Sequence, residues 1–324
     1  MFQSYHTMKQ ASRSLRPKTQ YKVKNWSAYN KALKLRGSIT LWIDKDSESK
    51  WYYKGPTQRG AQFVYSDDAI RIALTVRQVF HLAFRQTEGF MDSIIKLIHL
   101  NVTTPDYSVL CRRMKGLAVK VKTNKAVTDI VFDGTGLKLF GEGEWKVRQY
   151  GHSKRRSWRK LYIGMDIEGK QVQVVDVTPN SVHDCDTVPQ MLGRIETPSL
   201  KRFYGDGGFD KWKVYETLKK FKVEPIIPPQ KNAKIKQHGN RTGKPLARDN
   251  TIRLIRKHGR KKWKEMTGYH KRSLVENFFF RYKTIIGDHL KSRLTENQKT
   301  EADLNINILN KMLKIGAPIT QAIK

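Results

Sequence analysis

Two short apolar runs that lead into an aspartate constrain the fold of this chain more than any other feature. Residues 130–132 (Ile-Val-Phe) precede Asp133, and residues 203–205 (Phe-Tyr-Gly) precede Asp206, with glycines after both aspartates. A short apolar run bounded by turn residues is typical of a buried strand. The sequence therefore predicts two buried strands, each of which stops at an acid.

The segments around these runs predict a mixed α/β domain. Residues 161–166 and 171–177 flank a polar turn and are expected to form a β-hairpin. Helices are predicted from Asp184, as the capping residue, to about Ile195 and over Trp212–Phe221, and a strand over Val223–Ile227. Strands that first form a hairpin and then alternate with helices indicate a mixed sheet flanked by helices.

The rest of the chain divides by composition and periodicity. Residues 1–60 are basic and weakly periodic, which suggests an arm that folds against DNA or a partner. We expect a helical region at 61–118 and the catalytic domain at 119–324. Within that domain, residues 230–266 are strongly basic and are predicted to form a loop or loose helix that faces phosphate.

The helical region contains three short amphipathic segments. They are predicted at about Asp67–Phe84, at about Gly89–His99, and after a Thr-Pro-Asp start at residues 104–106. The third segment carries Arg112 and Arg113, so the region resembles a helix-turn-helix whose last helix could enter the major groove of DNA. A small helical bundle with a solvated basic face would explain the same pattern.

Charge and cysteine content restrict the class of protein. Lysine and arginine number 63 against 29 acids, a formal charge of +34 spread along the chain. A polyanion is the natural partner, although a basic ribosomal or chromatin-like scaffold would have a similar charge. The two cysteines are too few for a disulfide framework, and there is no long apolar stretch or signal-peptide core, so we expect a cytosolic protein without a membrane segment.

The aspartates at the strand ends are candidates for metal-dependent phosphoryl transfer. This chemistry needs a few carboxylates that hold divalent cations and leave room for water and phosphate. Asp133 and Asp206 both precede glycines, where a phosphate could approach the backbone. An aspartate before glycine is more often a turn residue. Four other aspartates compete for the same role: Asp166, Asp176, Asp184 and Asp210.

A third acid is predicted on a long helix from about Tyr269 to Ile286. Tyr269, Arg272, Glu276 and Lys283 are separated by three, four and seven residues. Because a helix turns by about 100° per residue, these side chains fall within roughly 60° of arc. The opposite side is apolar and would pack on the sheet: Leu274, Val275, Phe278, Tyr282 and Ile285. A solvated face with an ordinary Arg272–Glu276 pair remains the alternative.

These motifs resemble those of a known family. The spacing Tyr269-x2-Arg272-x3-Glu276-x6-Lys283 matches the signature around the third acid of insertion-sequence DDE transposases. The segments that begin at Asp133 and at Gly205 resemble the first-acid and second-acid motifs, although relatives often have alanine in place of Gly205. With further likeness over residues 21–44, the chain resembles the insertion-sequence-five family, in its nine-oh-three-like branch.

The resemblance implies an RNase H-like catalytic fold and a bacterial transposase that binds terminal inverted repeats, cleaves DNA and transfers strands. Asp133, Asp206 and Glu276 would be the catalytic residues and would bind Mg²⁺, for which Mn²⁺ would substitute. Tyr269, Arg272 and Lys283 would hold the DNA end. The expected partners are double-stranded DNA and further copies of the chain on that DNA. The expected location is the cytoplasm, in association with the nucleoid.

Two questions stay open at the level of sequence. A basic and aromatic cluster close after Asp133, which includes Trp145 and Arg148, is predicted to line the DNA path, but a solvated loop has the same composition. A DNA-binding descendant that no longer cuts, and an RNase H-type nuclease or resolvase, are the rival functions. The intact set of acids argues against the first, and strand transfer would distinguish the second.

Overall fold

A mixed sheet forms the centre of the protein, and the two strands that lead into aspartates are neighbours in it. The computed structural model describes residues 21–43, 45–57, 59–60, 62–121, 126–139, 158–195, 199–237 and 245–323. The strands in these ranges are β1 (Tyr21–Val23), β2 (Asp129–Leu139), β3 (Trp158–Asp166), β4 (Val172–Pro179), β5 (Arg202–Tyr204), β6 (Glu224–Ile226), β7 (His289–Leu290) and β8 (Thr320–Ala322).

Ten α-helices accompany them in the same ranges: α1 (Trp26–Arg36), α2 (Ile39–Trp42), α3 (Asp67–Val79), α4 (Phe84–Leu97), α5 (Tyr107–Met114), α6 (Asp184–Gly193), α7 (Trp212–Lys220), α8 (Ala247–Thr267), α9 (Ser273–Ile285) and α10 (Thr295–Ile315). Short 3-10 turns lie at Lys45–Lys50, Gly207–Phe209 and Tyr269–Arg272. Among the described residues, no helix combines the length and the apolar character that a membrane span requires.

The main sheet has the strand order β4-β3-β2-β5-β6, and β7 pairs with the far end of β2. Strands β2, β3 and β4 are antiparallel, whereas β5 and β6 run parallel to β2. The prediction of a mixed sheet with helices on its faces is therefore confirmed. The predicted hairpin is also present, as β3 and β4.

Strand β2 does not stop at Asp133 as the sequence predicted. It continues to Leu139 and pairs with β3 as far as Lys138. Gly134 is a strand residue here rather than a turn residue, and it pairs with Tyr162 on β3. A Cβ at position 134 would lie 2.6 Å from the Tyr162 ring. The missing side chain gives that ring its space, so Asp133 lies within a paired strand.

The three helices of the N-terminal half are present with shifted bounds. Helix α3 ends at Val79 rather than Phe84, because the chain turns at His81 with a positive φ of 57°. Helix α4 then begins at Phe84, five residues before the predicted start, and the Gln86 side chain accepts a hydrogen bond from the Ala83 amide at its N-terminus. A role of these helices in reading DNA stays a prediction.

Apolar packing joins the helical half to the sheet. One core cluster contains residues of α3, α4 and α5, one face of the sheet, and the buried side of α10. A second cluster lies on the other face, where α6 and α7 cover β2 and β5. Helix α10 is central to this arrangement, because its buried residues Leu304, Ile306, Ile308 and Leu309 belong to the first cluster.

Candidate active site

Asp133 lies in the middle of β2 with a side chain that is 19% exposed. Its carboxylate accepts a hydrogen bond from its neighbour, the Gly134 amide (2.8 Å), and another from Nη1 of Arg272 (3.0 Å). Burial raises the pKa of Asp133, and the charges of Asp206 and Glu276 add to this rise, while the Gly134 amide and Arg272 oppose it. The first acid is therefore within electrostatic reach of the other two.

Asp206 follows β5 and lies beside Asp133 across the parallel pair. Val131 pairs with Tyr204, so each aspartate stands two residues beyond the same register position. The Asp206 carboxylate accepts a hydrogen bond from the Gly208 amide (2.8 Å), which starts the Gly207–Phe209 turn. The sheet register thus places both acids at the same level of adjacent strands.

Gly205 fits this strand end for a steric reason. A Cβ at this position would lie 2.9 Å from the Phe209 ring and 3.0 Å from the Phe203 ring. These rings pack edge to face, with centroids 5.8 Å apart. Gly205 is therefore matched to the close packing of two aromatic side chains.

Glu276 lies in the first turn of α9 and is 56% exposed. The predicted helix starts later than expected: residues Tyr269–Arg272 form a 3-10 turn, and the α-helix begins at Ser273. One side of α9 is buried on the core, as predicted, through Val275, Phe278, Phe279 and Tyr282. Glu276 is therefore presented by a helix whose other side is fixed.

Arg272 joins the first acid to the third. Its guanidinium donates from Nη1 to Asp133 and from Nη2 to Glu276, and its side chain is 21% exposed. Tyr269 lies in the same turn and packs on Trp263, with ring centroids 5.4 Å apart. Burial raises the pKa of Tyr269, and the phenol is within electrostatic reach of all three acids. The structure therefore brings Asp133, Asp206, Glu276, Arg272 and Tyr269 together.

The donor set suits a hard divalent cation in kind, because carboxylate oxygens are the ligands that Mg²⁺ and Mn²⁺ prefer. Their arrangement differs from that of a metal site, since the Arg272 guanidinium lies between Asp133 and Glu276. Over the described ranges, no three acidic, histidine or cysteine side chains stand close enough together to hold a metal ion. Arg272 places a positive charge between two of these acids.

The remaining predicted DNA contacts are found in different environments. Lys283 is exposed in the last turn of α9, about 10 Å along the helix axis from Glu276. Arg112 is exposed on α5. Trp145 and Arg148 lie outside the described residues.

Arg113 is engaged within the protein. Its guanidinium donates to the Tyr65 carbonyl (2.9 Å) and to the Asp67 carboxylate (2.6 Å), and it lies over the Phe63 ring at 3.9 Å. These contacts hold the segment before α3 against α5. The guanidinium is thereby directed to the protein interior, in contrast to that of its neighbour Arg112.

The competing aspartates have partners of their own. Asp166 accepts hydrogen bonds from the Glu168 and Gly169 amides and closes the hairpin turn. Asp176 accepts one from the Val177 amide. Asp184 is the first residue of α6 rather than its cap, and its carboxylate accepts hydrogen bonds from Tyr162 (2.6 Å) and Lys160 (3.2 Å). These three carboxylates therefore have structural roles in turns and in packing.

The basic segment forms a helix along much of its length. Helix α8 covers Ala247–Thr267 and is interrupted at Gly259, where φ is 80°. Such a φ favours glycine, so the helix changes direction there. Most of its cations are exposed: Arg253, Arg256, Lys257, Arg260, Lys261, Lys262 and Lys264. A helix is one of the two forms predicted for this segment, its contact with phosphate stays a prediction, and residues 238–244 lie outside the described ranges.

Comparison with known proteins gives a consistent family. Two family models, both described as "Transposase DDE domain", match residues 34–142 and 127–310. The chain is also similar to one in the cryo-EM structure of the piggyBac transposase synaptic complex with hairpin DNA, with 11% sequence identity and a TM-score of 0.39. The match covers 88% of this chain and 75% of that chain, and it is too distant to indicate function. The second model spans more than half of the chain and includes Asp133, Asp206 and Glu276. The chain therefore belongs to the family of transposase DDE domain proteins.

Proposed function

We propose that this protein is the transposase of a bacterial insertion sequence, in the nine-oh-three-like branch of the insertion-sequence-five family. It binds the terminal inverted repeats of its element, cleaves DNA at the element ends and transfers the ends to target DNA. The observation that carries the proposal is the convergence of Asp133 and Asp206, each two residues beyond the paired positions Val131 and Tyr204, with Glu276, which Arg272 joins to Asp133. The sheet order, with three antiparallel strands followed by two parallel ones, supports an RNase H-like core.

The three acids are the proposed ligands of Mg²⁺, with Mn²⁺ as a substitute. A divalent cation held by these acids would supply Lewis acidity for reaction at a phosphodiester. Rigid elements orient the acids: β2 holds Asp133, the turn after β5 holds Asp206, and the buried side of α9 holds Glu276. Water or a DNA 3′ hydroxyl would form the new bond to phosphorus while the bond from phosphorus to a DNA 3′ oxygen breaks, and that oxygen would leave as a 3′ hydroxyl, so no covalent protein intermediate is required.

Cations around the acids would bind the DNA backbone. Arg272 is suited to bidentate contact with a phosphate once it leaves the two carboxylates, and Lys283 extends the basic face along α9. The exposed cations of α8 provide a longer basic surface. Arg112 on α5 is the proposed contact from the helix-turn-helix-like region. The protein would act as a homo-oligomer on DNA, since two element ends must be joined. It would be located in the cytoplasm, in association with the nucleoid.

An end-cleavage assay with single conservative variants tests the acids. Asp133→Asn, Asp206→Asn and Glu276→Gln should each reduce cleavage by at least about a hundredfold, because each removes a proposed metal ligand. Binding to the same DNA should persist. Glu224→Gln, which changes an exposed acid on β6 of the same sheet, is the matched control and should cleave normally.

The outcomes separate the possible functions. Substantial cleavage by any one of the three variants would remove that residue from the site. Cleavage without joining of ends to target DNA would indicate a nuclease or resolvase. Inverted-repeat binding without cleavage by the wild-type protein would indicate a DNA-binding descendant.

A further inference from the structure

A buried ion pair attaches the start of the basic helix to the Asp206 turn. Asp210 ends this turn, and its side chain has no solvent exposure. Arg248 in the first turn of α8 is 13% exposed and donates from Nε and Nη2 to the two Asp210 oxygens, at 2.6 and 2.9 Å. The Tyr215 hydroxyl (3.0 Å) and the Gln230 amide (2.8 Å) also donate to this carboxylate. A buried charged pair with such complete hydrogen bonding holds its two elements in one geometry.

Neighbouring contacts extend this attachment. The Arg248 guanidinium and the Lys236 ammonium lie over the Trp212 ring, at 5.2 and 4.6 Å from its centroid. Asp249 is buried and accepts hydrogen bonds from the amides of Lys236 and Gln237. The segment that leads towards α8 and the first turn of the helix are therefore held on α7, close to the second acid.

The other end of α8 is attached near the third acid. After the interruption at Gly259, Trp263 is buried and packs on Tyr269, in the turn before Glu276. The Tyr204 hydroxyl donates to the Thr267 carbonyl (3.3 Å). Helix α8 thus extends from the turn of Asp206 to the turn that precedes Glu276, and its exposed cations lie along this span.

The first half of α8 depends on its attachment. Among residues 247–258, only Asp249, Thr251 and Ile252 are buried, and four cations are crowded into this half. Helices shorter than about 12 to 15 residues are marginal in isolation, and like charges weaken them further. Of its larger apolar side chains, Ile252 is buried and Ile255 is partly buried against the core, so little apolar burial is available to keep this segment helical if the ion pair is lost.

We propose that Asp210 and Arg248 are positioning residues, whose buried pair fixes the first half of α8 so that its cations meet the backbone of DNA bound at the acids. This inference rests on the proposed function for the identity of the ligand. The attachment itself can be measured without cleavage. Neither residue contacts DNA in this proposal; both act through the exposed cations of α8.

Hydrogen exchange of the full-length protein tests the attachment. Asp210→Asn should make amide exchange in residues 247–258 at least about tenfold faster, while exchange in β2 and in residues 260–267 stays unchanged. Arg248→Lys keeps the charge but loses the two-point contact, so it should give a smaller change in the same residues, and it serves if Asp210→Asn does not fold. Asp186→Asn, in the exposed pair with Lys213, is the matched control and should change nothing in α8. Unchanged exchange in 247–258, or an equal rise in β2, would overturn the proposal.

The salt dependence of binding to duplex DNA tests the positioning role. Lys257→Gln removes one exposed cation and should reduce the slope of log affinity against log salt by about one. Arg248→Gln removes one cation that faces the protein, yet it should reduce the slope by more than one, because several cations of α8 would leave the backbone together. A reduction of one or less would refute positioning. If the wild-type protein cannot cleave DNA but the exchange result holds, the proposed function fails and the attachment stands.

Discussion

Arg272→Gln should strengthen the binding of a divalent cation to the protein in the absence of DNA. Arg272 donates to Asp133 and Glu276 at once, so a cation that binds these carboxylates must compete with its guanidinium. Glutamine has a similar length but no charge. The variant therefore leaves three carboxylates that repel one another, and a bound cation relieves that repulsion.

The magnitude follows from the geometry of the pair. Arg272 Nη1 lies 3.0 Å from the Asp133 carboxylate, and both side chains are about four-fifths buried. Unit charges about 4 Å apart interact by about 4 kcal/mol at an effective dielectric constant of about 20. We take roughly half of this value for a site with some access to water, and we neglect the more exposed pair with Glu276. About 2 kcal/mol corresponds to an affinity about thirtyfold higher.

Isothermal titration with Mn²⁺ measures this difference directly. Lys283→Gln is the control, because it removes the same charge from an exposed position on α9 for which no ion pair is found with any residue that the structure describes. This control should bind Mn²⁺ like the wild type. Equal or weaker binding by Arg272→Gln would refute the idea that the guanidinium occupies the place of a cation. DNA cleavage by Arg272→Gln should still fall, because the phosphate contact is lost.

Three further predictions concern stability. The Asn310 side chain accepts a hydrogen bond from the buried Val172 amide (3.0 Å) and donates one to the Val172 carbonyl (2.8 Å). Asn310→Ala should therefore lower the free energy of unfolding, measured by urea titration, by about 2–4 kcal/mol. A smaller loss would show that water replaces the side chain. Burial raises the pKa of Asp303 to about 7, well above its unfolded value, so its contribution makes the protein less stable as pH rises from about 4 to 7. Asp303→Asn should therefore raise stability by about 2 kcal/mol at pH 8, after allowance for solvent, and leave it unchanged at pH 4; equal effects at both pH values would contradict this. Arg113→Ala should destabilise the protein by about 1–2 kcal/mol in thermal melts, because its contacts with Tyr65 and Asp67 are lost. Arg112→Ala should weaken only DNA binding, measured by titration. The reverse pattern would assign DNA contact to Arg113.

Local patterns predicted the elements of the catalytic half well. The apolar run before Asp133, the hairpin, and the one-sided apolar face of α9 appear where periodicity placed them. The same spacing put Arg272 and Glu276 on one side of a helix and suggested their pairing. These features depend on residues close together in the chain, where backbone geometry and side-chain direction follow from the sequence itself.

Contacts between distant segments could not be predicted in this way. Nothing in the sequence around Asp210 indicates its partner, yet it meets Arg248, 38 residues later, in a buried pair. Likewise, Arg113 and Arg112 are adjacent cations on one helix, but only Arg113 faces the segment before α3. Such choices depend on which surfaces the folded chain brings together.

The sequence by itself determined the basic character, the three candidate acids and most of the helices and strands around them, though not all of their bounds. The tertiary structure decided that β2 continues past Gly134, because Tyr162 on β3 fills the space of the missing side chain. It also decided that Arg272 bridges Asp133 and Glu276, 143 positions apart in the numbering of the chain. Short-range geometry is encoded within a few residues, whereas the partner of a buried charge is selected by packing of the whole molecule, since burial of an unpaired charge is costly.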